Sequence, residues 1–347
     1  MERLWQNGIV RNESGMFAGK SRIDLMFPAQ KILQVALHSS GEVFEAGKDY
    51  CHAPGDDFIT RTENSRIPYL PPEALRPTGE GVILHPEEGE NAIDNAVDGG
   101  NLIFDGGAFF AFNQVDISYC CSNAGIKSKL APQPEKLPGF RQKRAKREPL
   151  KITLIGDSIS EGFNATRFVD VPPFAPCYME QVVMELGENV SLRNRAIRST
   201  GIHRVSDIEA DYLGDAPDLL VIAYGMNNFA GMPVDEFISR MQILISGCQA
   251  VNPQTEYLIV SSMSGNPDWR PTVPGPDLLY AQKMREFAAA GGNHIAIADV
   301  HKIWSEFLER KDFYDLTGNG VNHPNDYGHR IYASVVLEVL TGKKYFD

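Results

Sequence analysis

The sequence predicts an α/β region built on a parallel sheet, preceded by an all-β region of the sandwich kind. Three observations predict it. Short β-rich runs separated by Gly, Pro, Asn and Asp fill residues 22–121, residues 131–149 are proline-rich and basic, and from Leu150 onward apolar strands alternate with helical stretches. At 347 residues the chain has the length of about two domains. The boundaries expected are 1–130 for the β-sandwich, 131–149 for a linker and 150–347 for the α/β domain.

In the first region the strand candidates are 23–27, 32–37, 42–44, 58–61, 82–85, 102–104, 109–112 and 115–121. Turn clusters such as Pro54-Gly55-Asp56-Asp57 and Asp98-Gly99-Gly100-Asn101 bound them, the pattern of a sandwich of short strands. The linker carries Pro132, Pro134, Pro138 and a basic run from Arg141 to Arg147 with few apolar side chains, which predicts an extended, solvated connector. Beyond it, 152–155, 190–197, 219–224, 257–260 and 295–300 are apolar strand candidates, and 178–186, 205–213, 234–251, 278–290 and 326–340 are helical. Such alternation implies a parallel sheet covered on both faces.

Composition narrows the function. A hydrophobic fraction of 43% and a charged fraction of 22% are those of ordinary soluble globular proteins. A net charge of −12 argues against nucleic acid or an anionic membrane as partner, because both attract excess Lys and Arg. The five cysteines are an odd number without metal-ligand spacing, which favours incidental thiols over a disulfide framework. No cluster implies a metal or organic cofactor. The first residues lack the apolar core of a signal peptide and no run approaches the roughly 18 apolar residues of a membrane span, so a cytoplasmic location is expected. Nothing in the sequence reports the oligomeric state.

The stretch that carries chemistry is Leu150 to Gly162, in which Gly156-Asp157-Ser158 follows the strand 152–155. A hydroxyl at the carboxyl end of a strand lies where open α/β sheets bind ligands. A serine is a weak nucleophile until a neighbouring base takes its proton. The α/β-hydrolase elbow Gly-x-Ser-x-Gly is excluded, because Ser160 stands where it needs glycine. Among the eight histidines, His323 lies on a glycine-rich loop ahead of Pro324, which presents it as a base. His329 falls in the helix that follows, and His203 and His301 lie just after strands on the same rim. Donors for an oxyanion are expected from the Asn227 side chain, which follows the strand 219–224, and from the backbone of the loop Arg198-Ser199-Thr200-Gly201.

From Leu150 onward these residues resemble the SGNH/GDSL hydrolases, whose four sequence blocks carry Ser, Gly, Asn and His in this order. Gly156-Asp157-Ser158-Ile159 is similar to the first block, Asn194 to Gly201 to the second, Gly225-Met226-Asn227-Asn228 to the third, and His323-Pro324-Asn325 to the fourth. The resemblance implies a three-layer α/β/α fold, Ser158 as nucleophile, His323 as general base and then acid, and Asn227 in the oxyanion hole. Three positions depart from the pattern. The second block's glycine is Ser199, with Gly201 two residues on; Asn228 replaces the usual Asp of the third; and Gly320 stands three residues before His323, where the family usually has an Asp. Asp315, reaching back across the loop, or a backbone carbonyl would then orient His323.

The function expected is a serine esterase that forms an acyl-enzyme on Ser158. The two-part layout resembles acetylesterases acting on carbohydrates, so the partner expected is a small-molecule or carbohydrate ester. Trp269 is a candidate for stacking on a sugar ring or for packing. An acyltransferase would use the same residues, and a glycan-binding protein with a weak or inactive hydrolase domain would explain Gly320.

Overall fold

The computed structural model describes residues 3–347. Ahead of Leu150 it has β1 (Trp5–Gln6), β2 (Ile9–Gly15), β3 (Arg22–Asp24), β4 (Ala29–Leu37), β5 (Tyr50–Cys51), β6 (Phe58–Arg61), β7 (Ala92–Ile93), β8 (Leu102–Ile103) and β9 (Val115–Cys121). These form an antiparallel sheet in the order β1-β2-β9-β4, a second in the order β3-β6-β5, and the hairpin β7-β8. Along β9 every second residue is buried, from Val115 to Cys121, as the pleat of a one-sided strand requires. Ile23 and Ile59 of the second sheet share one buried cluster with Val10, Val35 and Ile117 of the first.

Several expected elements differ. Residues 42–44 and 82–85 make only isolated bridges, Ala36 with Val43 and Leu84 with Ala92. The run 109–112 is not a strand but helix α1 (Phe109–Asn113), in which Phe110 and Ala111 are buried side by side. The Asp105 carboxylate accepts from Phe109 N at 2.9 Å and so starts the helix. The supposed linker contains α2 (Pro138–Lys146), with Pro138 in its first turn and Phe140 buried. The Glu256 carboxylate accepts from the N–H groups of Gly139 and Phe140 at 2.8 and 2.7 Å, satisfying donors that a helix start leaves open. Lys143 of the basic run pairs with Asp218 at 2.6 Å, and Arg141 donates to the backbone carbonyls of Gln133, Lys136 and Val339.

The rest of the chain runs through β10 (Leu150–Gly156), α3 (Ser158–Glu161), α4 (Tyr178–Leu186), β11 (Val190–Asn194), α5 (Glu209–Gly214), β12 (Leu219–Ala223), α6 (Val234–Val251), β13 (Glu256–Val260), α7 (Pro276–Ala290), β14 (Ile295–Ala298), α8 (Val300–Leu308), α9 (Phe313–Leu316) and α10 (Asp326–Thr341). The sheet is parallel throughout, in the order β11-β10-β12-β13-β14. β12 and β13 are buried at every residue, which is why β12 and residues 257–260 of β13 read as unbroken apolar runs. Strand 190–197 stops at Asn194, whose side chain accepts from Ala196 N and donates to Ser160 O. The helix expected at 205–213 is a 3₁₀ stretch, Ile202–Ile208, followed by α5. Among the described residues no helix is long and apolar enough to cross a membrane.

The core does not break at the expected boundary: Trp5, Val10 and Ile117 belong to the same buried cluster as Leu154, Val221 and Tyr332. A buried ion pair crosses it as well. Lys311 Nζ lies 3.0 Å from Glu13 and 3.4 Å from Asp315, with side chains 0%, 0% and 1% exposed. Tyr119 OH and Met26 N donate to the Glu13 carboxylate, and Met16 N and Asp312 N to Asp315. Such charges are tolerated only when every partner is present. We predict that Lys311→Met, which leaves two carboxylates buried, lowers unfolding free energy by about 3 to 5 kcal/mol; urea unfolding of the full chain measures it, and a loss below about 1 kcal/mol would refute the role given to the pair.

Candidate active site

The strand order brings the site together. β10 and β12 are neighbours, and the chain leaves β10 toward β11 on one side and β12 toward β13 on the other, which opens a crevice at the carboxyl ends of these strands. Ser158 follows β10, the loop 195–201 follows β11, and Asn227 follows β12. Asp157 caps α3 by accepting from Ile159 N at 3.1 Å, leaving Ser158 as the first helical residue. Burial of the Asp157 carboxyl pushes it up to about 7, against the pull of backbone N–H groups around it.

Ser158 Oγ lies 2.8 Å from His323 Nε2, across 165 residues of chain, and both residues are only 7% exposed. The other ring nitrogen, Nδ1, is 2.7 Å from Asn164 Oδ1. The orientation of that amide is determined by its far side, because Asn164 Nδ2 donates to the carbonyls of Asp105 and Gly107 at 3.3 and 3.1 Å. An amide NH2 can only donate and a carbonyl can only accept. Asn164 therefore presents oxygen to the ring, Nδ1 carries the proton, and Nε2 is left as an acceptor for the Ser158 hydroxyl. Asn164 has φ 60°, a left-handed conformation that Asn adopts more readily than most residues.

The loop between α9 and α10 carries the histidine. Asn319 is fully buried and its Oδ1 accepts from the N–H groups of Val321, Asn322 and His323 at 2.9 to 3.0 Å. Gly320 has φ +86°, and a Cβ there would stand 2.6 Å from Ile103 O. The position of the family's usual acid is thus filled by the backbone of β8. Asp315 does not take over: it closes the capping box of α9 and faces Lys311 and Met16 N, and the expectation that it orients His323 is corrected to Asn164. Burial pushes Asp315 up to about 6, against the pull of Lys311. Burial also pushes His323 down to about 3, helped by the neighbouring His329 and His85, so its ring is neutral at ordinary pH.

The remaining residues fall as follows. Asn227 is exposed, and its Nδ2 donates to Thr200 O at 3.0 Å, which ties the third-block loop to the second; its other N–H hydrogen has no acceptor among the described residues. Ser199 sits in the left-handed region at φ 57°, and the N–H groups of Ser199 and Gly201 donate to nothing among the described residues. Asn228 is buried, and its Oδ1 accepts from Ile202 N at 3.2 Å. Trp269 is half-buried against Ala96, Leu102, Phe104 and Val321, so its ring packs on the β7-β8 hairpin. His301 pairs with Asp277 at 3.1 Å, His329 is buried parallel to the Tyr178 ring, and His203 is exposed. Asn164 was missed because nothing in its local sequence marks it; the contact that orients it comes from a loop 57 to 59 residues away.

Comparisons with known proteins find relatives of this chain. Among solved structures, an acetyl-xylooligosaccharide esterase from Geobacillus Stearmophilus, in a mutant form, is 19% identical over 56% of this chain and 95% of its own, with a TM-score of 0.46. A member of the lipolytic protein G-D-S-L family from Veillonella parvula DSM 2008 is 18% identical over 55% of this chain and 98% of its own, at 0.45. A two-domain esterase active on acetylated mannans, co-crystallised with mannopentaose, is 19% identical over 63% of this chain and 54% of its own, at 0.46. No curated protein matches the sequence. The family model of the GDSL-like lipases and acylhydrolases matches residues 154–331, a span that begins within β10 and ends within α10, and on that match the chain belongs to this family and is a carboxylic ester hydrolase.

Proposed function

We propose that the chain is a serine esterase acting on short-chain acyl esters, with O-acetyl groups on carbohydrates as the substrate class. The observation that carries this reading is the line Ser158–His323–Asn164, in which the tautomer of the base is set by a neutral amide. Ser158 Oγ attacks the ester carbonyl carbon while its proton passes to His323 Nε2. The tetrahedral oxyanion receives hydrogen bonds from Asn227 Nδ2 and from the N–H of Ser199 or Gly201. Collapse expels the alcohol, which takes the proton from Nε2, and water then repeats the sequence on the acyl-enzyme.

A polar rim of Asn227, Thr200 and Asn322, none of them buried, supports a hydroxylated substrate over a long acyl chain. The amino-terminal antiparallel sheets support a sandwich region at 1–130 that shares its core with a hydrolase region at 150–347, residues 131–149 connecting the two. The inert, glycan-binding alternative rested on the missing acid at Gly320, and Asn164 removes that motive.

Three outcomes test the reading. Ser158→Ala abolishes hydrolysis of p-nitrophenyl acetate, with a fall of about 10⁴-fold or more, and wild-type rates in the variant would refute it. Asn164→Ala lowers kcat by about 10² to 10⁴ with a small change in KM, as loss of a histidine's orienting partner does elsewhere. A histidine held down to about 3 is unprotonated above that pH, so kcat/KM shows no acid limb between about pH 5 and 7; a limb near 6.5, where an ordinary histidine titrates, would count against His323 as the base.

A further inference from the structure

The chemistry proposed for Ser158 and His323 leaves one partly open polar pair beside them unused. It sits on the segment 83–104, which folds back on itself through β7 and β8, with His85 N donating to Ala92 O at 2.8 Å and Phe104 N to Asn91 O at 3.2 Å. His85 Nδ1 lies 2.7 Å from Glu90 Oε2, with side chains 41% and 18% exposed, and the His85 ring packs on Phe104 at 4.6 Å between centroids. Phe104 in turn packs with Val321, two residues from His323. The pair also borders the loop that orients Asn164: a Cβ at Gly106 would stand 2.8 Å from Glu90 Oε1, and the carbonyls of Asp105 and Gly107 hold the Asn164 amide. Beyond burial and His329, the nearness of His85 also lowers the basicity of His323.

Direction follows from the reaction. The leaving alcohol must lie within reach of His323 Nε2 to collect its proton, whereas the oxyanion faces the Asn227 and Ser199 loops. Substituents on the alcohol half therefore extend on the His323 side, the side on which segment 83–104 meets the histidine loop through Phe104 and Val321. We infer that His85 and Glu90 form a binding subsite for a hydroxyl group on the alcohol half of the ester, so that the enzyme reads the monoester of a vicinal diol. The inference rests on the esterase reading of Ser158 and His323. Glu90 Oε1 accepts the substrate hydroxyl, while His85 Nδ1 holds Oε2 and fixes the carboxylate plane.

The test compares 2-hydroxycyclohexyl acetate with cyclohexyl acetate, two esters that differ by one hydroxyl. Wild type favours the hydroxylated ester in kcat/KM by about tenfold or more, the effect of a hydrogen bond to a charged group. Glu90→Ala removes most of that preference, chiefly through KM. Glu90→Gln, which keeps an oxygen for His85 and preserves the fold, removes part of it. A merely structural role would lower both esters alike together with Tm. An unchanged preference in both variants overturns the subsite while leaving the esterase intact. A wild type that hydrolyses neither these esters nor p-nitrophenyl acetate overturns the esterase reading, and the subsite falls with it.

Discussion

Two backbone carbonyls, those of Asp105 and Gly107, decide which way the Asn164 amide points, and through it which nitrogen of His323 bears the proton. Everything proposed for the hydroxyl of Ser158 depends on that orientation. With the amide reversed, its NH2 would face the ring, Nδ1 would have to accept, and Nε2 would carry the proton and compete with the serine as a donor. A neutral orienting group suits a site this closed. A carboxylate buried beside His323 would need several partners to offset its desolvation, whereas an amide is satisfied by one ring N–H and two carbonyls.

Because those carbonyls come from the amino-terminal region, that region is structurally part of the site. The same dependence recurs around the histidine loop. Asn325 Nδ2 donates to Ser14 Oγ and to Asp315 O, and Gln114 Nε2 donates to the carbonyls of Tyr314 and Thr317. Asp326 accepts from Thr166 N and Thr166 Oγ1, which ties the segment carrying Asn164 to the start of α10. His38 of the amino-terminal region then bridges Asp326 and Asp116 through its two ring nitrogens at 2.9 and 3.0 Å. Burial disfavours charge on that ring, but the two carboxylates outweigh it and hold its pKa up at about 10. The clamp is therefore a protonated imidazole held between two acidic side chains, and the segments bearing Asn164 and His323 are held on a common support.

Much of the carboxyl-terminal architecture was legible in the sequence because there the pattern and the packing have one cause. Strands such as β12 are apolar because both faces are covered, α4 and α6 were bounded correctly by their amphipathic runs, and Ser158 and His323 stand in motifs whose residue types are unusual together. The errors have physical reasons. Phe109 to Phe112 is apolar enough for a strand, yet Asp105 starts a helix there and only Phe110 and Ala111 turn inward. The basic run of α2 looks solvated, yet a single phenylalanine and the distant Glu256 dock it. Asn164 could not be found by motif, since its neighbours Phe163 and Ala165 mark it in no way and its partners are contributed from outside the hydrolase blocks.

Gly320 shows how these features constrain one another. Judged against the family pattern alone, it is a missing acid. In the folded chain the backbone at 320 is left-handed, and a side chain there would run into the carbonyl of Ile103 and the ring of Phe110. An aspartate at 320 and the present seating of β8 and α1 therefore exclude each other on steric grounds, before any electrostatic argument is made. Residues 105–107 lie between those two elements, and they are what fixes the Asn164 amide. The closeness of the amino-terminal region that forbids the acid thus also supplies its replacement: restoring the aspartate would displace β8 and α1, and with them the carbonyls that make Asn164 an acceptor.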